Sequence, residues 1–281
     1  MLKALLNPNR EPHRSKSQKN PEKNIGSNHI LILGEENSLI MRFQGKTFVI
    51  TGANRGIGKA VAIALGKEGA NLVLVARDEG GLSETERRVK SADIKVLKIK
   101  ADLTSKEERR EALKKIEKFS DKIDFLWNGI SGWNDSPLSK ISEDETVELI
   151  RIGVEGNITF TKLLLPLLKK TKNSYIINIC SDWAVAGRES TASVFTATKY
   201  ALSGFGRSLA KEIIADGIRV TNLYPGSIAS DLDIDDTPVI LNKKYGITKM
   251  SLRDITDTVV FVLSKPDMHI DEIVMTPLDN S

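Results

Sequence analysis

The chain has 281 residues, of which 40% are hydrophobic and 28% are charged, and this length and balance are typical of one globular domain with a full core. A formal charge of +4 is too small for a nucleic-acid groove, and no apolar run is long enough to span a bilayer. The single cysteine, Cys180, excludes an intrachain disulfide. The sequence has no secretory signal and no cluster of residues with metal-ligand spacing. These features together predict a cytoplasmic protein without a bound metal.

Residues 1–40 are rich in Asn, Lys, Ser and Pro and show no sustained periodicity. This composition predicts a disordered or loosely ordered basic extension. The text MRFQGKTFVITG, which begins at Met41, is typical of the start of a domain, so we expect the folded domain to comprise residues 41–281. Two alternatives stay open for the extension: a reading frame that naturally starts at Met41, and a basic arm that binds an acidic partner or RNA.

From Met41 onward, short apolar runs alternate with amphipathic helical stretches. Because the runs are apolar almost throughout, each predicts a strand that is covered on both faces of a sheet. The alternation predicts an α/β fold, with a single doubly wound, Rossmann-like parallel sheet of about seven strands and helices on both faces. The predicted strands are Thr47–Thr51, Asn71–Ala76, Lys95–Lys100, Ile123–Trp127, Tyr175–Ile179, Ile218–Leu223 and Glu272–Met275.

A glycine-rich turn, TGANRGIG from Thr51 to Gly58, joins the first predicted strand to a helix. Without side chains, the backbone N–H groups and the positive end of the helix approach a pyrophosphate closely. Turns also use glycine for its positive φ without binding anything. The position between a strand and a helix favours the cofactor-binding interpretation.

The spacing TGxxxGxG resembles the short-chain dehydrogenase/reductase family, and the resemblance extends over about residues 43–278. Asp102 in ADLT resembles the family's adenine-contacting aspartate, and Asn128 in LWNGIS matches the first asparagine of its NNAG motif. Pro225 and Gly226 match the PG turn beside the nicotinamide. The resemblance implies a cofactor site formed by Gly52, Asn54, Arg55, Gly56, Ile57, Gly58, Asp102, Asn128, Lys199, Pro225, Gly226, Ile228 and Ser230.

Charge near the end of the second strand predicts the choice of cofactor. A 2′-phosphate favours guanidinium groups, whereas the ribose of NAD favours a carboxylate. Arg55 in the glycine turn and Arg77 after the second strand therefore predict NADP(H) in preference to NAD(H). Asp78 is the competing residue, but in the run DEGG it is typical of a turn or a helix start.

The resemblance implies four catalytic roles, of which the chain fills two. Ser181 in NICSDW matches the serine that orients the substrate oxygen, and Lys199 in TATKYALSGF matches the lysine that holds the ribose. Phe195, four residues before Lys199, occupies the position of the proton-donating tyrosine. Gly153 in RIGVEGN occupies the position of the relay asparagine, counted back from Pro166.

Three other side chains are candidates for the missing acid. Tyr200 is one position beyond Lys199, and an offset of one residue turns a helical side chain by about 100°, so we expect it to pack elsewhere. Asp182 and Tyr224 flank matched motifs, but neither lies four residues before a lysine. Acid–base catalysis contributes about 10² to 10⁴ in rate, so Phe195 predicts a weakened enzyme rather than an inert one.

Two functions stay open. One is hydride transfer between NADP(H) and a small carbonyl or alcohol substrate, with impaired or altered catalysis. The other is a non-catalytic NADP(H)-binding sensor or scaffold subunit. The resemblance also implies a homodimer or homotetramer, formed through the long helices near residues 142–170 and 195–215. Residues 227–252, which cover substrate in this family, carry four aspartates that predict a solvated acidic loop rather than a metal site.

Overall fold

The computed structural model describes residues 41–89, 93–188, 190–236, 244 and 248–278, so the predicted extension at 1–40 lies outside the described residues. Within these ranges the chain forms one parallel sheet of seven strands in the order β3-β2-β1-β4-β5-β6-β7. The strands are β1 Thr47–Thr51, β2 Asn71–Ala76, β3 Val96–Lys100, β4 Phe125–Asn128, β5 Tyr175–Ile179, β6 Arg219–Pro225 and β7 Glu272–Met275. The predicted α/β class is confirmed, with small shifts at the ends of β3, β4 and β6.

Helices connect the strands and cover both faces of the sheet. They are α1 Gly56–Lys67, α2 Glu79–Val89, α3 Lys106–Phe119, α4 Glu143–Ile150, α5 Asn157–Leu168, α6 Ser193–Ile213 and α7 Leu252–Leu263. A π-helical segment, Arg151–Gly156, joins α4 to α5. Among the described residues, none of the helices combines the length and hydropathy needed to cross a lipid bilayer.

Side-chain alternation along the strands divides the core between the two faces. Phe48 and Ile50 pack with α1, α2 and α7, whereas Val49 between them packs with α3, α5 and α6. Successive side chains of a strand point to opposite faces, so a continuously apolar strand fills both layers.

The order of the strands reverses at β1, which lies between β2 and β4. In open α/β sheets, the crevice at the carboxyl ends of the strands beside such a reversal binds ligands. Thr51 joins the two strand ends here: its Oγ1 donates to the carbonyl of Trp127 at 2.9 Å and accepts from the N–H of Gly129 at 2.9 Å. The fold therefore holds the glycine-rich turn rigidly against β4.

Candidate functional site

The glycine-rich turn is packed so closely that two of its glycines leave no room for a side chain. A Cβ on Gly52 would lie 2.7 Å from the carbonyl oxygen of Gly129, and a Cβ on Gly58 would lie 2.2 Å from the carbonyl oxygen of Gly52. Gly52 also has a φ of +70°, which glycine adopts without strain. The turn consequently brings the start of α1 directly to the crevice.

The start of α1 borders a cavity of about 400 Å³. The structure brings Asn54, Arg55 and Gly56 together here with Ser230 from the segment after β6. The first turn of α1 carries no acidic side chain, and a Cβ built on Gly56 would come no closer than 3.8 Å to Ser230. Helix N-termini attract anions through free N–H groups and the helix dipole. The start of α1 therefore fits the pyrophosphate of a dinucleotide, while Asp231, Asp233 and Asp236 of the segment after β6 line the other side of the same cavity.

Arg77 lies just beyond β2 between two carboxylates. Its Nη1 is 3.3 Å from Oε1 of Glu148 and 3.8 Å from Oδ2 of Asp102. Burial acts to raise the pKa of Asp102, but hydrogen bonds from Thr104 and the charges of Arg77 and Arg151 outweigh it and hold that pKa below its ordinary value. Asp102 is thus an anion that partly neutralises Arg77.

Asp78 begins α2. Its two carboxylate oxygens accept from the N–H groups of Gly80 at 3.0 Å and Gly81 at 3.1 Å. The interpretation of Asp78 as a helix-start residue is confirmed. This carboxylate is occupied by the helix terminus, which weakens its competition for a ribose.

Asn128 lies at the end of β4, but its side chain points into the sheet's own core. It is fully buried, and its amide donates to Thr161 Oγ1 and to Asn178 Oδ1, both at 2.8 Å. Asn178 donates in turn to Asn222 Oδ1 at 3.0 Å. This asparagine ladder, Asn128, Asn178 and Asn222, ties β4, β5 and β6 together. Any contact of Asn128 with a cofactor would have to come from its backbone.

The PG turn follows β6. The N–H of Gly226 donates to the carbonyl of Met275 at 2.7 Å, and Ile228 pairs with Met250 in an isolated bridge. A Cβ on Gly226 would lie 2.9 Å from Oδ2 of Asp182. The turn therefore approaches the loop that carries Ser181.

Ser181 directly precedes a short 3₁₀ turn, Asp182–Ala184, after β5. Its Oγ donates to Oδ1 of Asp182 at 3.2 Å and accepts from the N–H of Trp183 at 3.3 Å. Asp182 is 7% exposed, and this burial raises the pKa of its carboxyl in spite of the bond from Ser181 and the charge of Arg188. A serine hydroxyl and a buried carboxyl are thus paired beside the PG turn.

Lys199 and Phe195 share one face of α6. The Nζ of Lys199 donates to the carbonyl of Ile179 at 3.0 Å and lies 5.3 Å from the centroid of the Phe195 ring. Burial lowers the pKa of Lys199 to about 8, partly opposed by Cys180. The predicted helical spacing of Phe195 and Lys199 is confirmed, and the lysine faces an aromatic ring that carries no hydroxyl.

Two tryptophans complete this site. The ring of Phe195 packs edge-on against Trp133 at 4.7 Å and Trp183 at 5.7 Å between centroids, and the two indoles are 5.6 Å apart. Trp133 is 62% exposed, whereas Phe195 is 6% exposed. The sequence interpretation missed both indoles, although they follow Asn128 and Ser181 by only a few residues. This aromatic cluster, Trp133, Trp183 and Phe195, forms an apolar surface beside Lys199.

Gly153 lies in the π-helical segment and packs against α6. A Cβ there would lie 3.0 Å from Cβ and 3.1 Å from Oγ1 of Thr198. One turn later, the amide of Asn157 donates to the carbonyls of Gly153 at 2.9 Å and Ile130 at 3.0 Å. The helix therefore contains a buried asparagine four residues after the position that the resemblance assigns to one.

The other residues beside the matched motifs make contacts in the interior of the domain. The hydroxyl of Tyr224 hydrogen-bonds Ser203 at 2.7 Å and Glu272 at 2.6 Å, and burial followed by the Glu272 bond raises its pKa to about 12. Tyr200 packs in a small cluster with Cys180 and Tyr224. Cys180 is buried, which raises its pKa to about 12 and confirms its interpretation as a small core residue.

The aspartates after the PG turn include the exposed Asp231, Asp233 and Asp235, in agreement with the predicted solvated loop, and they also form ion pairs. Asp233 pairs with Arg88 of α2, and Asp235 pairs with Arg88 at 2.8 Å and with Lys67 of α1 at 3.2 Å. These partners are distant in sequence, so their charges were not part of the local pattern. The loop is held against α1 and α2 by ion pairs.

Comparison with known proteins gives a consistent result. A family model described as short chain dehydrogenase matches residues 46–240. An uncharacterized oxidoreductase of Staphylococcus epidermidis is 31% identical over 237 residues, which cover 83% of this chain and 97% of that protein. The structure of an alcohol dehydrogenase from Thermococcus sibiricus, complexed with 5-hydroxy-NADP, is 25% identical with a TM-score of 0.73 over 84% of this chain and 98% of that one. A metagenomic short-chain oxidoreductase in complex with NADP is 27% identical with a TM-score of 0.71 over 84% and 99%.

Proposed function

Because the chain belongs to the short chain dehydrogenase family of oxidoreductases, we propose that it transfers a hydride between NADP(H) and a small carbonyl or alcohol substrate, with a weakened proton-transfer step. A bound nicotinamide supplies or accepts the hydride. The observation that carries the proposal is the buried Lys199, whose ammonium group faces a phenylalanine ring at 5.3 Å from its centroid. A phenol at this position would be the proton donor, and a phenyl ring is not.

The proposed residues follow the geometry of the crevice. Lys199 and the start of α1 hold the dinucleotide, Ser181 orients the substrate oxygen, and Phe195 packs beside them. The proposed catalytic set is Ser181, Lys199 and the tyrosine position Phe195. The proposed cofactor set is Gly52, Asn54, Arg55, Gly56, Ile57, Gly58, Arg77, Asp102, Asn128, Lys199, Pro225, Gly226, Ile228 and Ser230.

The test of reduced proton transfer is Phe195→Tyr. The variant adds one hydroxyl, and we expect kcat to rise by about 10² or more because acid–base catalysis contributes about 10² to 10⁴. Purified wild type and variant are assayed with aldehydes, ketones and hydroxy acids and with both nicotinamides. Phe261→Tyr, on a half-exposed residue of α7, adds the same hydroxyl away from the site and is the control.

The preference for NADP(H) rests on Arg55 and Arg77. Arg55 is exposed at the start of α1 and Arg77 is exposed beyond β2, so both guanidinium groups are accessible to a phosphate. A charge-assisted hydrogen bond is worth about 1.5 to 3 kcal/mol, or roughly 10- to 150-fold in affinity. We expect Arg77→Ala to weaken NADPH binding by about that factor and NADH binding much less. Arg87→Ala, on an exposed arginine of α2, is the control.

The second candidate function is a non-catalytic NADP(H) sensor or scaffold subunit. Phe195 together with Gly153 favours it, because two positions of the catalytic set lack a functional group. Nicotinamide binding without turnover in wild type and in Phe195→Tyr would support this function. Wild-type turnover at ordinary enzyme rates would exclude it.

A further inference from the structure

The carboxyl of Asp182 lies between Ser181 and the PG turn. On one side, its Oδ1 accepts from the hydroxyl of Ser181 at 3.2 Å. On the other side, its Oδ2 lies so close to the PG turn that a Cβ on Gly226 would be 2.9 Å away. The side chain is 7% exposed. A buried carboxyl is costly to ionise. Such groups are common at functional sites, and this one lies beside the serine that is proposed to orient the substrate oxygen.

We infer that Asp182 is a positioning residue that takes up and returns the proton of the reaction through Ser181, in the role that a tyrosine would otherwise have. The inference rests on the proposed function and adds the route of the proton. It assigns to this chain a serine–aspartate relay beside Phe195.

The hydroxyl of Ser181 donates to Oδ1 of Asp182, which is the direction in which a proton would move during alcohol oxidation. The carbinol carbon loses a hydride to the nicotinamide, and the electron pair of the breaking O–H bond forms the new C=O bond. The hydroxyl proton passes to Oγ of Ser181, while the proton that Ser181 already donates passes to Oδ1 of Asp182. Carbonyl reduction reverses each transfer, with protonated Asp182 as the donor. Asp182 then exchanges its proton with water.

The charges around the pair are compatible with this role. Arg188, on the same loop, favours the ionised carboxyl. Lys199 of α6 donates to the carbonyl of Ile179 on the strand that leads to Ser181. Burial raises the pKa of Asp182 from its ordinary value, which favours the protonated form that carbonyl reduction needs.

Lys199 is the rival for the same role, because its lowered pKa of about 8 would also permit proton exchange. The two are separated by the pH dependence of the reaction. A relay through Asp182 gives an oxidation rate that rises and a reduction rate that falls as this carboxyl ionises, and both transitions are lost in Asp182→Asn. A direct role of Lys199 places both transitions near its own pKa.

The test replaces the carboxyl by an amide of the same shape, Asp182→Asn. We expect kcat for alcohol oxidation to fall by about 100-fold, with the KM for nicotinamide changed by less than about twofold. Ser181→Ala should lose a similar factor, and the double variant little more, because the two residues act as one unit. Asp257→Asn, on an exposed residue of α7, is the matched control.

A second readout needs no cofactor. Infrared titration of the ligand-free protein should show a carboxyl that ionises above the ordinary aspartate range. This signal should be absent from Asp182→Asn, and its pKa should change in Ser181→Ala. This signal also shows whether a loss of activity comes from the lost carboxyl or from misfolding.

The Phe195→Tyr background separates the inference from the proposed function. A phenol opens a second proton route, so we expect Asp182→Asn to cost at least about tenfold less there than with Phe195. Full activity of Asp182→Asn in the wild-type background, or the same loss in both backgrounds, would overturn the relay while the oxidoreductase stands. No nicotinamide binding and no turnover in any variant would overturn both.

Discussion

At the residue scale, the buried ammonium group of Lys199 makes the stability of the ligand-free fold depend on pH. Its environment contains the carbonyl of Ile179 and the ring of Phe195, and burial lowers its pKa to about 8. In the proposed function a charge in this place binds the dinucleotide, whereas in the ligand-free fold a buried charge is destabilising. Function and stability therefore oppose each other at this side chain.

The first prediction concerns Lys199→Met. In the unfolded chain the lysine keeps its ordinary pKa, so between about pH 8 and 10.5 the unfolded state binds a proton that the folded state has released. Stability of the wild type should consequently rise with pH through this window relative to the variant, by a few kcal/mol in order of magnitude. Urea unfolding of the ligand-free proteins measures the difference. A difference that stays constant from pH 7 to 11 would contradict the lowered pKa.

The second prediction concerns Trp133→Ala. The indole is 62% exposed and contacts Phe195, so it presents an apolar face to any substrate that approaches the ring. An aromatic contact is worth about 0.5 to 1.5 kcal/mol, and we expect KM for substrates with an aromatic body to rise by up to about tenfold. Aliphatic substrates should change less. Leu138→Ala, equally exposed at 61%, is the control, and an equal effect of both variants would argue against stacking.

At the element scale, the asparagine ladder connects three strands to α6. Asn222 donates to the carbonyl of Ser203 at 3.0 Å, so the helix and β6 approach closely. Gly206 lies at this crossing, where a Cβ would be 2.0 Å from Oδ1 of Asn222 and 2.6 Å from Nδ2 of Asn178. Buried amides tolerate little displacement because an unpaired polar group costs about 1 to 3 kcal/mol.

The third prediction compares two glycines of α6. Gly206→Ala should destabilise the protein by about 2 kcal/mol or more, because the methyl group displaces two amides of the ladder. Gly204→Ala places its methyl group in open space and should stabilise by up to about 1 kcal/mol through helix propensity. Chemical denaturation of both variants gives the two values. If both variants changed the free energy of unfolding in the same direction, the asparagine ladder would not explain why residue 206 is glycine.

The sequence predicts most of this element-level organisation, because strands covered on both faces are continuously apolar and the glycine-rich turn has a local spacing. Contacts between distant segments were not predictable in the same way. The contact of Gly153 with Thr198 joins two helices, and the contact of Asp182 with Gly226 joins two loops. Neither leaves a periodic pattern. The motif places Asn128 in the cofactor site, but the local sequence gives no sign that its side chain bonds to Thr161 and Asn178 in the core.

At the scale of the whole molecule, the fourth prediction concerns the domain boundary. The first described residues already pack in the core. Phe43 is 2% exposed, and the centroid of its ring is 5.2 Å from that of Phe48. The side chain of Met41 contacts Gly69, where a Cβ would lie 2.8 Å from it. A chain that starts at Met41 should keep the Tm and the nicotinamide affinity of the 281-residue chain. A large loss of either would assign residues 1–40 to the folded domain.

The fifth prediction concerns self-association through α4. Val147 and Ile150 lie three residues apart on this helix and are 50% and 47% exposed, so they form an apolar strip on the surface of the single chain. A surface helix normally places such residues in a core or an interface. If α4 joins two copies, Val147→Asp with Ile150→Asp should shift the protein to a smaller species in sedimentation or light scattering. Lys114→Glu, which adds negative charge on α3, should leave the oligomer intact. An unchanged oligomer in the double variant, or a wild type that is monomeric at high concentration, would rule out this helix as the interface.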